Sequence, residues 1–101
     1  MKLVRDKIPE IIRGAGKFPE VTVAMGSVYR ELLGRKMSEE LEEFMQDPTH
    51  EEAADILEVF RALIAFHNLD MRDVEEVRAE KARERGGFET GAVLWSVSEH
   101  E

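Results

Sequence analysis

The sequence predicts an all-α fold, a helical bundle with only short extended segments near the N-terminus and in the C-terminal tail. Three observations lead there. Apolar residues recur at helical spacing through two long windows, about 27–45 and about 49–67. The stretches between helical windows carry turn chemistry: Gln46-Asp47-Pro48-Thr49, then Asn68 with Asp70, then Gly86-Gly87. The β-branched stretches are too short to build a sheet.

In chain order, residues 1–13 read as a short basic arm leading into a turn or two of helix, with Pro9 tolerated near the helix start. Gly14, Gly16 and Pro19 end that helix, and residues 20–24 (EVTVA) are extended. The first long helix presents Tyr29, Leu32, Leu33, Met37, Leu41 and Phe44 on one side. Its stop admits two restarts. Either Asp47 caps the next helix with Pro48 at its first position, or Thr49 caps it in a capping box with Glu52. The second long helix carries Ile56, Leu57, Val59, Phe60, Leu63 and Ile64, and a charged third helix over about 70–85 stops at Gly86-Gly87. The tail, 88–97, alternates weakly and is expected to be extended, with Phe88 and Trp95 packing a core in preference to covering a base; 98–101 is expected to fray. No internal repeat or low-complexity segment divides the chain, so a single domain over 1–101 is expected.

At 101 residues the chain is small enough that oligomerisation would help it bury a core. Hydrophobic residues make up 43%, enough to argue against disorder. The net charge of −8 disfavours a nucleic-acid polymer or an anionic membrane as partner. With no cysteine, disulfides, thiolate zinc sites and cysteine nucleophiles are excluded. No run approaches a membrane span, and MKLVRDKIPE is too charged for a signal peptide, so a soluble, cytoplasmic protein is expected.

Two carboxylate pairs stand out: Glu40 with Glu43, and Glu52 with Asp55, each three residues apart and so on a shared helix face. At ~100° per residue, with Leu33 at zero, Glu40 falls at about −20° and Glu43 at about −80°, inside the apolar arc, whereas Glu42 points away. On the second helix, with Ala53 at zero, Glu52 sits at about −100° within the arc and Asp55 at about −160° on its shoulder. Inward carboxylates are costly unless a cation or a basic partner meets them. A fold-back could gather all four, and an all-oxygen set suits a hard divalent cation, Mg²⁺ with Mn²⁺ as substitute. The structural alternative is that Glu40 and Glu43 pair with arginines and Glu52 only serves the capping box.

Basic residues form two groups: Arg78, Lys81 and Arg85 on one face of the third helix, and Lys2, Arg5 and Lys7 at the N-terminus. Either set could be solvated charge; beside a metal-loaded acidic site, either would grip a polyphosphate. His67 reads as a partner for a helix C-terminus, and His50 and His100 form no zinc-like cluster with it. No ExxH pairs, P-loop or nucleophile elbow occur.

Glu39-Glu40-Leu41-Glu42-Glu43 followed by Glu52-Ala53-Ala54-Asp55 resembles the EExxE…ExxD motif of the all-α NTP pyrophosphohydrolases, which include MazG proteins, dimeric dUTPases and phosphoribosyl-ATP pyrophosphohydrolases. The opening KLVRDKIPEII and the later KARERGGF look like its short MazG-like or phosphoribosyl-ATP pyrophosphohydrolase-like branch. Only eight residues separate Glu43 from Glu52, fewer than is usual between the motif halves. The resemblance implies a MazG-like helical bundle completed by dimerisation, or a dimer of dimers, and Mg²⁺ held by Glu40, Glu43, Glu52 and Asp55. It implies catalytic work for Glu40 and Glu43, and for Glu39 a role in orienting or deprotonating water. Lys81 and Arg85 would contact phosphate, with Lys2, Arg5 and Lys7. The implied activity is hydrolysis of a nucleoside triphosphate to monophosphate and pyrophosphate, a house-cleaning role. Phosphoribosyl-ATP hydrolysis and a non-catalytic dimeric interaction module are the alternatives.

Overall fold

The computed structural model describes residues 1–100. Among them are four α-helices and no strand: α1 (Ile8–Gly14), α2 (Gly26–Gln46), α3 (His50–Phe66) and α4 (Met71–Arg85). Met1–Leu69 forms one compact unit, and the residues from Asp70 onward form a second.

In the first unit, α1 starts beside the turn at Arg5, whose carbonyl accepts from the Ile8 amide (3.0 Å), and carries Pro9 in its first turn, where a missing N–H costs nothing. The stretch before α2 pairs with no strand, so the extended segment expected at 20–24 builds no sheet. Leu32 and Leu33 of α2 and Ile64 of α3 are buried, and they mark the line along which the two long helices pack. Tyr29 of α2 meets Phe66 of α3 edge to face, with ring centroids 5.6 Å apart.

The short connection 47–49 folds α3 back against α2, and its hydrogen bonds decide between the two restarts. The Asp47 amide donates to Glu43 O (2.9 Å), so Asp47 closes α2. Thr49 caps α3: its hydroxyl accepts from the Glu52 amide at 3.2 Å. At the other end of α3, Asn68 adopts the left-handed conformation (φ 57°), which lets the amides of Asn68 and Leu69 reach back to Ala65 O and Ile64 O (3.0 Å each).

In the second unit, Asp70 caps α4 by accepting from the Arg72 amide (2.7 Å). Arg78 donates twice to the Glu75 carboxylate, at 2.9 and 2.6 Å, and that contact holds Glu75 below the usual carboxylate range. Gly86 ends the helix at φ 82°, ψ 176°, a backbone conformation that only glycine adopts without strain.

In the tail, residues 88–90 bend in a turn closed by the Gly91 amide on Phe88 O (3.3 Å), and residues 91–98 pair with no strand. Phe88 and Trp95, expected to pack, are 98% and 91% exposed in the single chain.

Candidate metal centre

Glu40 lies two turns beyond Leu33 on the buried stripe of α2, and it is only 5% exposed. The tight 47–49 connection sets the first two turns of α3 beside it. One carboxylate oxygen from each of Glu40, Glu52 and Asp55 then lies within 4.8 Å of the others. Two oxygens facing each other across a Mg²⁺ ion stand ~4.2 Å apart. Small side-chain rotations would therefore bring the three into one coordination sphere.

Charge satisfaction separates these acids from ordinary surface carboxylates. Oε2 of Glu40 and Oε2 of Glu52 are both buried without a hydrogen-bond partner. Leaving a charged acceptor so costs at least about 1–3 kcal/mol. Lys36, mostly buried, reaches Oε1 of Glu40 at 3.2 Å and Oε1 of Glu39 at 3.7 Å. Lys2 approaches Glu39 at 3.5 Å, and Arg5 donates to Oδ1 of Asp55 at 2.7 Å. Four carboxylates thus meet three cations, and the acid left without one among the described residues is Glu52.

Glu52 is free for that position because the capping box is only half made. Its amide is capped by Thr49, but the Thr49 amide donates to Asp47 O (2.9 Å) rather than to the Glu52 carboxylate. The capping-box account of Glu52 therefore explains its backbone and not its side chain. The arginine-pairing account holds for a different acid than expected: Arg5 meets Asp55, while Glu40 meets a lysine.

Glu43 stands apart. It is exposed, outside the converging set, although its angle put it inside the apolar arc. Three residues from the end of α2, it has only the first turn of α3 nearby to cover it, so the buried stripe narrows there. Lys7 lines the same cleft as Glu40 and Asp55, while Lys81 and Arg85 are exposed on α4 in the second unit. Among the described residues no other group of three or more His, Asp or Glu converges in this way, and His50, His67 and His100 form no site.

Lys36 is the residue that sequence reasoning passed over. The angular test used for the glutamates places it at about −60°, inside the apolar arc and one turn before Glu40, so the signal was present. Beside the acids opens a cleft of about 610 Å³, with Tyr29, Leu33 and Val59 on its apolar side and the N-terminal residues from Leu3 to Lys7 along another.

No family model matches the chain, and no curated protein or solved structure matches it.

Proposed function

We propose that the chain is a Mg²⁺-dependent nucleotide pyrophosphohydrolase that converts a nucleoside triphosphate to its monophosphate and pyrophosphate, acting in nucleotide house-cleaning. The observation that carries this reading is the pair of buried, unpartnered carboxylate oxygens on Glu40 and Glu52 beside Asp55. Their donor set is all oxygen and anionic, the set a hard divalent cation takes. When bound, that cation neutralises charge on the phosphates and lowers the pKa of a water nucleophile.

The chain's own residues supply the rest. Glu40, Glu52 and Asp55 hold the cation; Glu43, the fourth ligand the motif implies, lies outside the converging set. Lys36 fixes Glu40 and Glu39 in place. Glu39, half-buried between Lys2 and Lys36, accepts a proton from water or orients it. Lys2, Arg5 and Lys7 come from the arm to the phosphates; Lys81 and Arg85, the other phosphate-binding residues the motif implies, lie on α4 in the second unit. The cleft, apolar along Tyr29, Leu33 and Val59, takes the nucleoside. A second copy of the chain covers the apolar residues left open on the long helices, Leu41 and Met45 of α2 and Leu57 and Phe60 of α3.

One observation favours a second reading, a non-catalytic dimeric module: Lys36, Arg5 and Lys2 already answer three of the four acids. A panel of canonical and modified nucleoside triphosphates, with phosphoribosyl-ATP, separates the readings. Release of pyrophosphate from one or a few triphosphates supports the proposal, and release from phosphoribosyl-ATP alone moves the activity to that substrate. Silence across the panel, with the metal still stabilising the fold, supports the module.

A further inference from the structure

The N-terminal arm does more than line the cleft with Leu3, Val4 and Arg5. Arg5 donates to Oδ1 of Asp55 at 2.7 Å across fifty positions of sequence, and Lys2 stands 3.5 Å from Oε1 of Glu39. Leu3 lies between these contacts and is half-buried against the cleft. Residues 1–5 belong to no helix, and no backbone hydrogen bond among the described residues engages residues 1–4. The arm is therefore held by two ion pairs and the burial of Leu3. Both pairs are substantially open to solvent, with Arg5 56% and Asp55 36% exposed, and pairs of that kind are weak.

Asp55 is also one of the three acids that converge with Glu40 and Glu52. A guanidinium and a divalent cation cannot both hold that carboxylate well. The cation neutralises the negative charge that attracts Arg5, and at a few ångströms it repels Arg5 with twice the charge of any lysine. Glu40 cannot follow Arg5 away from the site, since it is buried and fixed by Lys36. The arm is the part that can move.

We infer that the N-terminal arm is a built-in counter-ion for the acid site: it occupies Asp55 and Glu39 in the metal-free chain and is released when a divalent cation binds. Release delivers the cations of Arg5 and Lys2 at the cleft edge, unpaired, where phosphate oxygens would arrive. The metal thereby loads the site and arms the phosphate grip in one exchange. The inference rests on the metal reading of the three acids but adds a competition that reading does not require.

The test is calorimetric titration of the full chain with MnCl₂, for wild type, Arg5→Gln and Arg61→Gln. Arg61 lines the same cleft, so its variant removes the same charge without removing a contact to an acid. Arg5→Gln is expected to bind Mn²⁺ roughly 1.5- to 5-fold more tightly than Arg61→Gln does, the range a solvent-exposed ion pair allows. In parallel, ¹⁵N relaxation of wild type with saturating Mg²⁺ is expected to show residues 2–6 losing order while α2 and α3 keep theirs. Equal affinities for the two variants, with the arm as ordered in Mg²⁺ as in EDTA, would overturn the exchange and leave the metal site standing. Absence of any Mn²⁺ binding by wild type would overturn both.

Discussion

At Glu52 the chain keeps a carboxylate with a buried, unpartnered oxygen and no cation, next to two further acids. Such a group destabilises the metal-free fold, and a cation relieves the cost. Urea unfolding with EDTA should therefore find Glu52→Gln more stable than wild type by about 1 kcal/mol, since the amide removes the unanswered charge. With Mg²⁺ the order should reverse, because only wild type gains from the ion. A wild type that is the more stable protein in EDTA, and equally responsive to Mg²⁺ as the variant, would contradict this. Glu52 and Glu40 were legible in the sequence because a helix angle needs only spacing, and both fall where apolar side chains do. Glu43 has a comparable angle and is exposed, since an angle does not say how far along a helix its partner extends. Lys36 was legible by the same test but reads as solvated charge unless the test is applied to lysines too. The pairing of Arg5 with Asp55 was not legible, as spacing carries no information about contacts fifty residues apart.

Among the elements, α2, α3 and α4 lie within a residue or so of their expected limits. Their stops and caps are strong local signals: Asp47-Pro48-Thr49, Asp70 and Gly86. The choice between Asp47 and Thr49 as cap needed the structure, because both side chains can accept from a helix amide. The cap also bears on the site. Thr49 fixes the first turn of α3, which presents Glu52, so Thr49→Ala should cost about 1 kcal/mol of stability and weaken Mg²⁺ binding together. Thr49→Ser should restore both in the same denaturation and titration measurements. Loss of stability with unchanged metal affinity would separate the cap from the site. Phe88 and Trp95 were misread as packing residues because an aromatic side chain in a sequence does not show whether anything covers it. Both stand in solvent in the single chain.

For the molecule as a whole, the core is slight: Leu32, Leu33 and Ile64 are its buried apolar side chains among the described residues. Leu41, Met45, Leu57 and Phe60 remain open on the two helices that make the acid site, and the shortage of core is the physical argument for a second copy. Light scattering behind size exclusion should give at least twice the 11.6 kDa chain mass, with Leu57→Glu shifting it toward the monomer. A wild type that runs as a monomer at every concentration would remove the dimer from the account. The all-α architecture was legible because helical periodicity dominates the sequence; which apolar residues stay open was not, since exposed apolar residues look the same in a sequence as buried ones.

The most direct measurement is pyrophosphate release by wild type, Glu40→Gln and Asp55→Asn, side by side with Mg²⁺ and with EDTA, on whichever triphosphate the panel identifies. The account predicts release by wild type only, abolished by EDTA, with both variants inactive and their far-ultraviolet circular dichroism unchanged. Near-normal turnover by both variants in Mg²⁺, or turnover by wild type that persists in EDTA, would contradict it.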